Sequence, residues 1–231
     1  MPRTLRSKTF AGIRAVSALL FLVFAARTLA VGDPSSSSIL ESAKTDYLAG
    51  HFDSALTKLA QHDKAKGADG DSLDLRGAIA LEQGKLELAE RDFREANKVQ
   101  PELFAPRLHL ADLFLREKKY DLARELYEKL GSETNVVLSN EQVRYGLLLI
   151  ALATHDDSAA QSALAQLTFP TESPAYYYAQ AATAFAKGNE SAGKKWIATA
   201  RQIFDRPALA WFASQLYNLG WLKEKPSPPS A

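Results

Sequence analysis

From Ile39 onward, apolar residues recur every three or four positions, the spacing of one buried helix face. No stretch alternates with period two, so helices are expected throughout and no sheet. The stretch 72–101 shows the pattern most clearly. It reads as two short amphipathic helices hinged at Gly84 and stopped by Pro101, with small residues at Gly77, Ala89 and Ala96 and large ones at Leu73, Leu86 and Phe93. A small side chain lets a neighbouring helix approach closely, and a large one fills the space opposite. The unit recurs. Ala55, Ala89 and Ala123 stand 34 residues apart in turn. Gly50, Gly84 and Lys118 lie five before them; Phe52, Leu86 and Tyr120 lie three before; Leu59, Phe93 and Tyr127 lie four after.

These phases predict helix pairs over 39–49 and 52–65, within 72–101, and over 104–117 and 120–131. The stretch 64–71, KAKGADGD, is expected to be a mobile loop because of Gly67 and Gly70. After Gly131 the phase slips, and Ala160 follows Ala123 by 37 residues. Ser139-Asn140-Glu141-Gln142 has the layout of a capping box and predicts the start of a helix reaching 154. Asp156 and Asp157 then cap a helix to 167, and 169–172 make a turn. Ser173 caps the next helix, 174–187, with Pro174 at its first position, where a missing N–H costs nothing. Gly188-Asn189 hinges it to 190–204. A last helix is expected over 207–222, with Leu209, Phe212, Leu216 and Leu219 packing on 190–204 and one Trp left accessible at its edge. The tail 223–231, KEKPSPPSA, is expected to be disordered.

A helix–turn–helix unit of this length in three in-phase copies resembles the tetratricopeptide (TPR) family. The resemblance covers 39–206, and Trp211, 34 residues after Tyr177, falls where the family usually carries Trp. That Trp is absent from the first four units, and a closing proline is clear only at Pro101. The resemblance implies an all-α fold: an α-solenoid of about five TPR-like helix–turn–helix repeats plus a C-terminal capping helix, occupying 39–222. In such a solenoid the first helix of each pair lines a concave groove. By repeat register the groove positions implied as partner-binding are Lys44, Tyr47, Asp74, Asp112, Arg116, Tyr145, Tyr178 and Phe185. Some members grip a peptide's terminal carboxylate with a Lys/Asn/Lys/Arg set. The comparable slots here hold Leu40, Lys44, Asp74 and Asp112, so that activity is not implied. Tyr176, Tyr177 and Tyr178 cannot all face one side, because each helical step turns about 100°. At least two of the four tyrosines Tyr145, Tyr176, Tyr177 and Tyr178 are expected in packing between repeats.

Residues 1–30 stand apart. Arg3, Arg6, Lys8 and Arg14 precede an apolar run at 15–26, and small residues follow around Ala30. That is the layout of a secretory signal peptide, with cleavage expected after Ala30. The alternative is an uncleaved membrane anchor, although the run is shorter than the roughly 20 residues of a span and Arg27 interrupts it. With no cysteine and no twin-arginine pair, the general secretory route is expected. The Ser-rich segment 31–38 reads as a flexible spacer. Removing 1–30 takes away five basic residues and shifts the formal charge from +1 to −4. A mildly acidic chain argues against nucleic acid, which needs a concentrated basic footprint. A cysteine-free exported domain that stands on its apolar core fits a bacterial periplasm.

Chemistry is sparse. His51, His62, His109 and His155 have no second ligand at the helical spacings of a zinc pair, and no nucleophile elbow, phosphate loop or zinc-protease motif occurs. The charged helix 87–98 offers Glu87/Arg91, Glu90/Arg94 and Arg91/Glu95 as pairs that support their own helix. No catalytic, cofactor or metal site is expected. The sequence therefore suggests a non-catalytic protein- or peptide-binding scaffold in a bacterial envelope. The rival reading is a structural homo-oligomer, or a membrane-anchored assembly factor, using exposed aromatic surfaces.

Overall fold

The computed structural model describes residues 36–133 and 137–226. The expected signal segment, the spacer up to residue 35 and the tail beyond 226 lie outside the described residues. Among the described residues are eleven helices and no strand. The first six are α1 (Ser36–Leu48), α2 (Phe52–Lys66), α3 (Gly70–Glu82), α4 (Leu86–Val99), α5 (Phe104–Arg116) and α6 (Tyr120–Glu133). The rest are α7 (Val137–Ala153), α8 (Asp157–Leu164), α9 (Ala175–Ala186), α10 (Glu190–Ile203) and α11 (Arg206–Asn218). They pair as five antiparallel hairpins, and the first helices α1, α3, α5, α7 and α9 neighbour one another in turn. This is a TPR-like α-solenoid.

One slot turns every hairpin. Gly50, Gly84, Lys118, His155 and Gly188 all hold φ between 58° and 77°, and Gly220 repeats the conformation after α11. In each case the next N–H bonds to the carbonyl five residues back, from His51 to Asp46 through Trp221 to Leu216, at 2.8–2.9 Å. This Schellman closure satisfies the last carbonyls of a helix and requires a left-handed residue. His155 in the slot fixes the fourth hairpin's register despite its 37-residue spacing. Left-handed backbone costs a side chain about 1–2 kcal/mol and costs glycine little beyond entropy. Lys118→Gly should therefore stabilise the protein by about 0.5–1 kcal/mol, and Gly84→Ala should destabilise it by a similar amount, in urea unfolding.

Within hairpins, rings lie on glycines. A Cβ added at Gly77 would stand 2.6 Å from the Phe93 ring, and one at Gly193 would stand 2.7 Å from Phe185. Between hairpins, a Cβ at Gly146 would stand 2.4 Å from Tyr127. Ala55, Ala89 and Ala123 are fully buried, as the small-against-large pattern requires. One apolar cluster runs from α3 to α11, and a second joins α1 and α2 to Leu75 and Ile79 of α3.

Several boundaries differ from expectation. Among the described residues helix is already formed at Ser36, three residues inside the expected spacer. The expected loop 64–71 is mostly helix, with only 67–69 outside it. Asp69 and Ser72 form a capping box there, and the Gly70 N–H donates to Gln100 Oε1 at 2.6 Å. Helix α7 begins two residues before Ser139, so that residue is not its cap. Glu141 instead accepts from the hydroxyls of Thr171 and Ser173, tying the 169–173 turn to α7. Pro174 is the cap of α9 rather than its first residue, while the Ser173 hydroxyl accepts from the Ala175 N–H. Helix α8 ends at Leu164, and α11 ends at Asn218 because Gly220 closes it. On α4, Glu90–Arg94 forms at 2.7 Å, but Arg91 turns to Asp92, which also holds the Arg76 fork from α3 at 2.7 and 3.2 Å. A buried carboxylate is a stronger draw for a guanidinium than an exposed glutamate.

Candidate functional site

Helix α11 does not simply stack on the last hairpin. It touches α9 and α10, as a cap would, and also α5, about 100 residues earlier in the chain. Reaching both α9 and α5 requires it to lie across the row of first helices. Leu209, Phe212 and Leu216 are its buried face. The Phe212 ring sits 5.3 Å from Tyr145 of α7 and 5.7 Å from Tyr178 of α9. The Tyr145 hydroxyl donates to the Phe212 carbonyl at 3.4 Å.

The polar anchor of this docking is Asp112 on α5. Its carboxylate accepts from the Tyr127 hydroxyl at 2.5 Å, from the Trp211 indole N–H at 2.7 Å and from the Gln215 side chain. Burial pushes the Asp112 carboxyl up to about 6, against the pull of those three donors and of His109. His109, one turn earlier on α5, donates to Asp74 of α3 at 2.8 Å. Burial lowers the imidazole, but the charge and hydrogen bond of Asp74 and the charge of Asp112 override it and hold His109 at about 9. It is therefore a cation at neutral pH. A histidine raised in the folded state contributes stability fully present below its unfolded value of 6.5 and lost as pH passes through about 9. Thermal unfolding midpoints should fall across that window, and His109→Asn should flatten the decline.

Four of the eight expected groove residues gather here. Tyr47, Asp112 and Arg116 line one cavity between α11 and helices α1, α3 and α5, and Asp74 stands behind it on His109. The other four do not join them. Lys44 pairs with Glu41 on its own helix at 2.9 Å. Tyr145 and Tyr178, expected on an open groove, are enclosed beneath α11, and Tyr178 is 1% exposed. Phe185 lies against Gly193 within its own hairpin, because a glycine on α10 makes room for the ring there. Of the three consecutive tyrosines, Tyr177 and Tyr178 are buried, in line with the packing expected of them.

The terminal tryptophans are half-buried. Trp211 is hydrogen-bonded to Asp112 and keeps one side on the cavity, and Trp221 packs on the core after the Gly220 turn. The first tail residues are placed as well. Lys225 pairs with Glu82 of α3 at 2.8 Å, so 223–226 run back along the cavity rim. Sequence reasoning gave His109 no metal role but did not foresee its ion pair with Asp74, and it missed Gln215 and this strap. The one signal was Asp112, a carboxylate inside the apolar run LHLADLFL at a core phase.

Fold and site together define a helical-repeat array whose inner face receives a helix. No family model and no curated protein matches this chain. Among solved structures, it is similar to that of Naa15/Naa10 bound to HypK-THB, at 17% identity and a TM-score of 0.48 over 80% of this chain and 29% of that one. It is also similar to the P58(IPK) TPR domain, at 17% identity and a TM-score of 0.43 over 80% of this chain and 56% of that one. The chain thus spans under a third of the first and little more than half of the second. The repeat architecture stands on the chain's own hairpins and their spacing.

Proposed function

We propose that this protein is a non-catalytic scaffold that binds a protein or peptide partner along its inner face, in the envelope of a bacterial cell. The observation that carries the binding reading is α11 itself, an amphipathic helix of this chain seated across α5, α7 and α9 through Leu209, Phe212 and Leu216. Helix α11 occupies that face along α5, α7 and α9, so a partner would meet the row of first helices beside it. The neighbouring stretch on α1 carries Lys44, Tyr47 and the exposed Leu48, a mix of charge and apolar area suited to a partner. Export rests on the basic start, the apolar run and the small residues around Ala30. Among the described residues no helix is long and apolar enough to cross a membrane.

Proximity labelling in the native cell tests the binding reading. The full chain should label a reproducible set of envelope proteins, and Lys44→Glu with Leu48→Ser, both changes at exposed positions, should lose that set while the melting temperature holds. Labelling unchanged by the double variant would place the partner elsewhere. Mass spectrometry of the purified protein tests export: a mature terminus at Val31 is expected, and an intact Met1 in the membrane fraction would mean an anchor.

A further inference from the structure

Between α11 and helices α1, α3 and α5 the packing leaves a cavity of about 320 Å³. That lies in the range of small-molecule sites and far exceeds the room one water takes. Tyr47, Phe52, Leu81 and Trp211 give it apolar walls, and Arg116 and Gln215 border it with polar groups. The other cations at its edge are paired: His109 with Asp74, and Lys225 with Glu82. Arg116 differs. It donates to the Leu81 carbonyl at 3.1 Å and has no carboxylate at ion-pair distance among the described residues. A guanidinium carries five N–H donors in a planar fork that matches a carboxylate, so most of its capacity is unused.

Gln215 supplies a second, independent sign. The residue is 3% exposed, and its amide N–H group is taken up by Asp112, while its Oε1 is buried without a hydrogen-bond partner. Buried polar atoms in folded proteins are nearly always bonded, so an acceptor in this position points to a donor from elsewhere. The geometry points to a small-molecule site in this cavity for an amphiphilic monoanion, its carboxylate on Arg116, its aromatic body between Tyr47, Phe52 and Trp211, and an N–H or O–H directed to Gln215. The inference goes beyond partner binding and does not depend on it. Because Trp211 and Gln215 belong to α11 and Arg116 to α5, such a ligand also pins α11 in place.

Isothermal titration calorimetry of the full chain with indoleacetate tests this, since that probe carries a carboxylate, one N–H donor and an aromatic body. One site is expected. Tryptophol, which keeps the ring and N–H without the charge, should bind about tenfold or more weaker, and Arg116→Ala should weaken indoleacetate by a similar factor while leaving tryptophol unchanged. Naphthaleneacetate, which lacks the donor, should bind more weakly than indoleacetate. Should Arg116→Ala fail to fold, Arg116→Gln removes the charge while keeping a donor for Leu81, and the same loss is expected. Ala210→Leu, which fills the cavity from α11, should abolish binding with the melting temperature held. No heat of binding to the unaltered protein, equal affinity for acid and alcohol, or an unaffected Arg116 variant would overturn the site.

Discussion

Deleting the chain from Pro207 onward should lower the melting temperature by roughly 10 °C, as a loss of several kcal/mol does in a domain of this size. The deletion removes Leu209, Phe212 and Leu216, each worth about 1.5–3 kcal/mol when buried, and bares the partners beneath them. Release of the ordered segment returns chain entropy, about 1–2 kcal/mol per residue for backbone, so the net loss is well below the gross apolar term. The exposed surface is specific: Tyr145 and Tyr178, now fully enclosed, would face water. Differential scanning calorimetry reads the stability, and a hydrophobic dye reads the new surface. A truncated protein that melts like the full chain and binds no more dye would show that α11 contributes no cover.

The second large effect is expected at Asp112. Replacing it by alanine leaves the Tyr127 hydroxyl, the Trp211 indole and the Gln215 amide without their acceptor, and leaves His109 without one of its two compensating carboxylates. Removing one member of such a buried charged network costs about 3–5 kcal/mol, mostly through the groups left unpaired. Asp112→Asn keeps one acceptor oxygen and a similar shape, so it should cost clearly less. Urea unfolding of the two variants separates the cases. Equal and small losses would mean that the carboxylate is an expendable passenger in the core.

The hairpins were legible because they are coded locally. Each needs a small residue such as Ala89, a large one such as Phe93 sixteen after Gly77, and a left-handed hinge, all inside one 34-residue unit. Even the irregular fourth hairpin keeps its hinge at His155. The docking of α11 was not legible, because Asp112 and Trp211 meet across 99 residues and no repeat period relates them. Without that contact Tyr145 and Tyr178 read as open groove residues; with it they are core. The capping box at Asp69 was hidden by its own composition. Glycine-rich loops and helix starts share the same residues, and Gly70 is drawn in by Gln100, thirty positions later. Lys225 was hidden in another way: a charged, proline-rich tail carries no periodic signal, and a single ion pair to Glu82 places it.

The Trp211–Asp112 contact is what holds α11 across the inner face. A double-mutant cycle of Trp211→Phe and Asp112→Ala, read by equilibrium unfolding, measures that contact, because each change removes one partner of the hydrogen bond. A hydrogen bond to a charged group predicts a coupling of about 1.5–3 kcal/mol between the two changes. Additive effects, with a coupling below about 0.5 kcal/mol, would contradict it and return α11 to the role of a simple end cap.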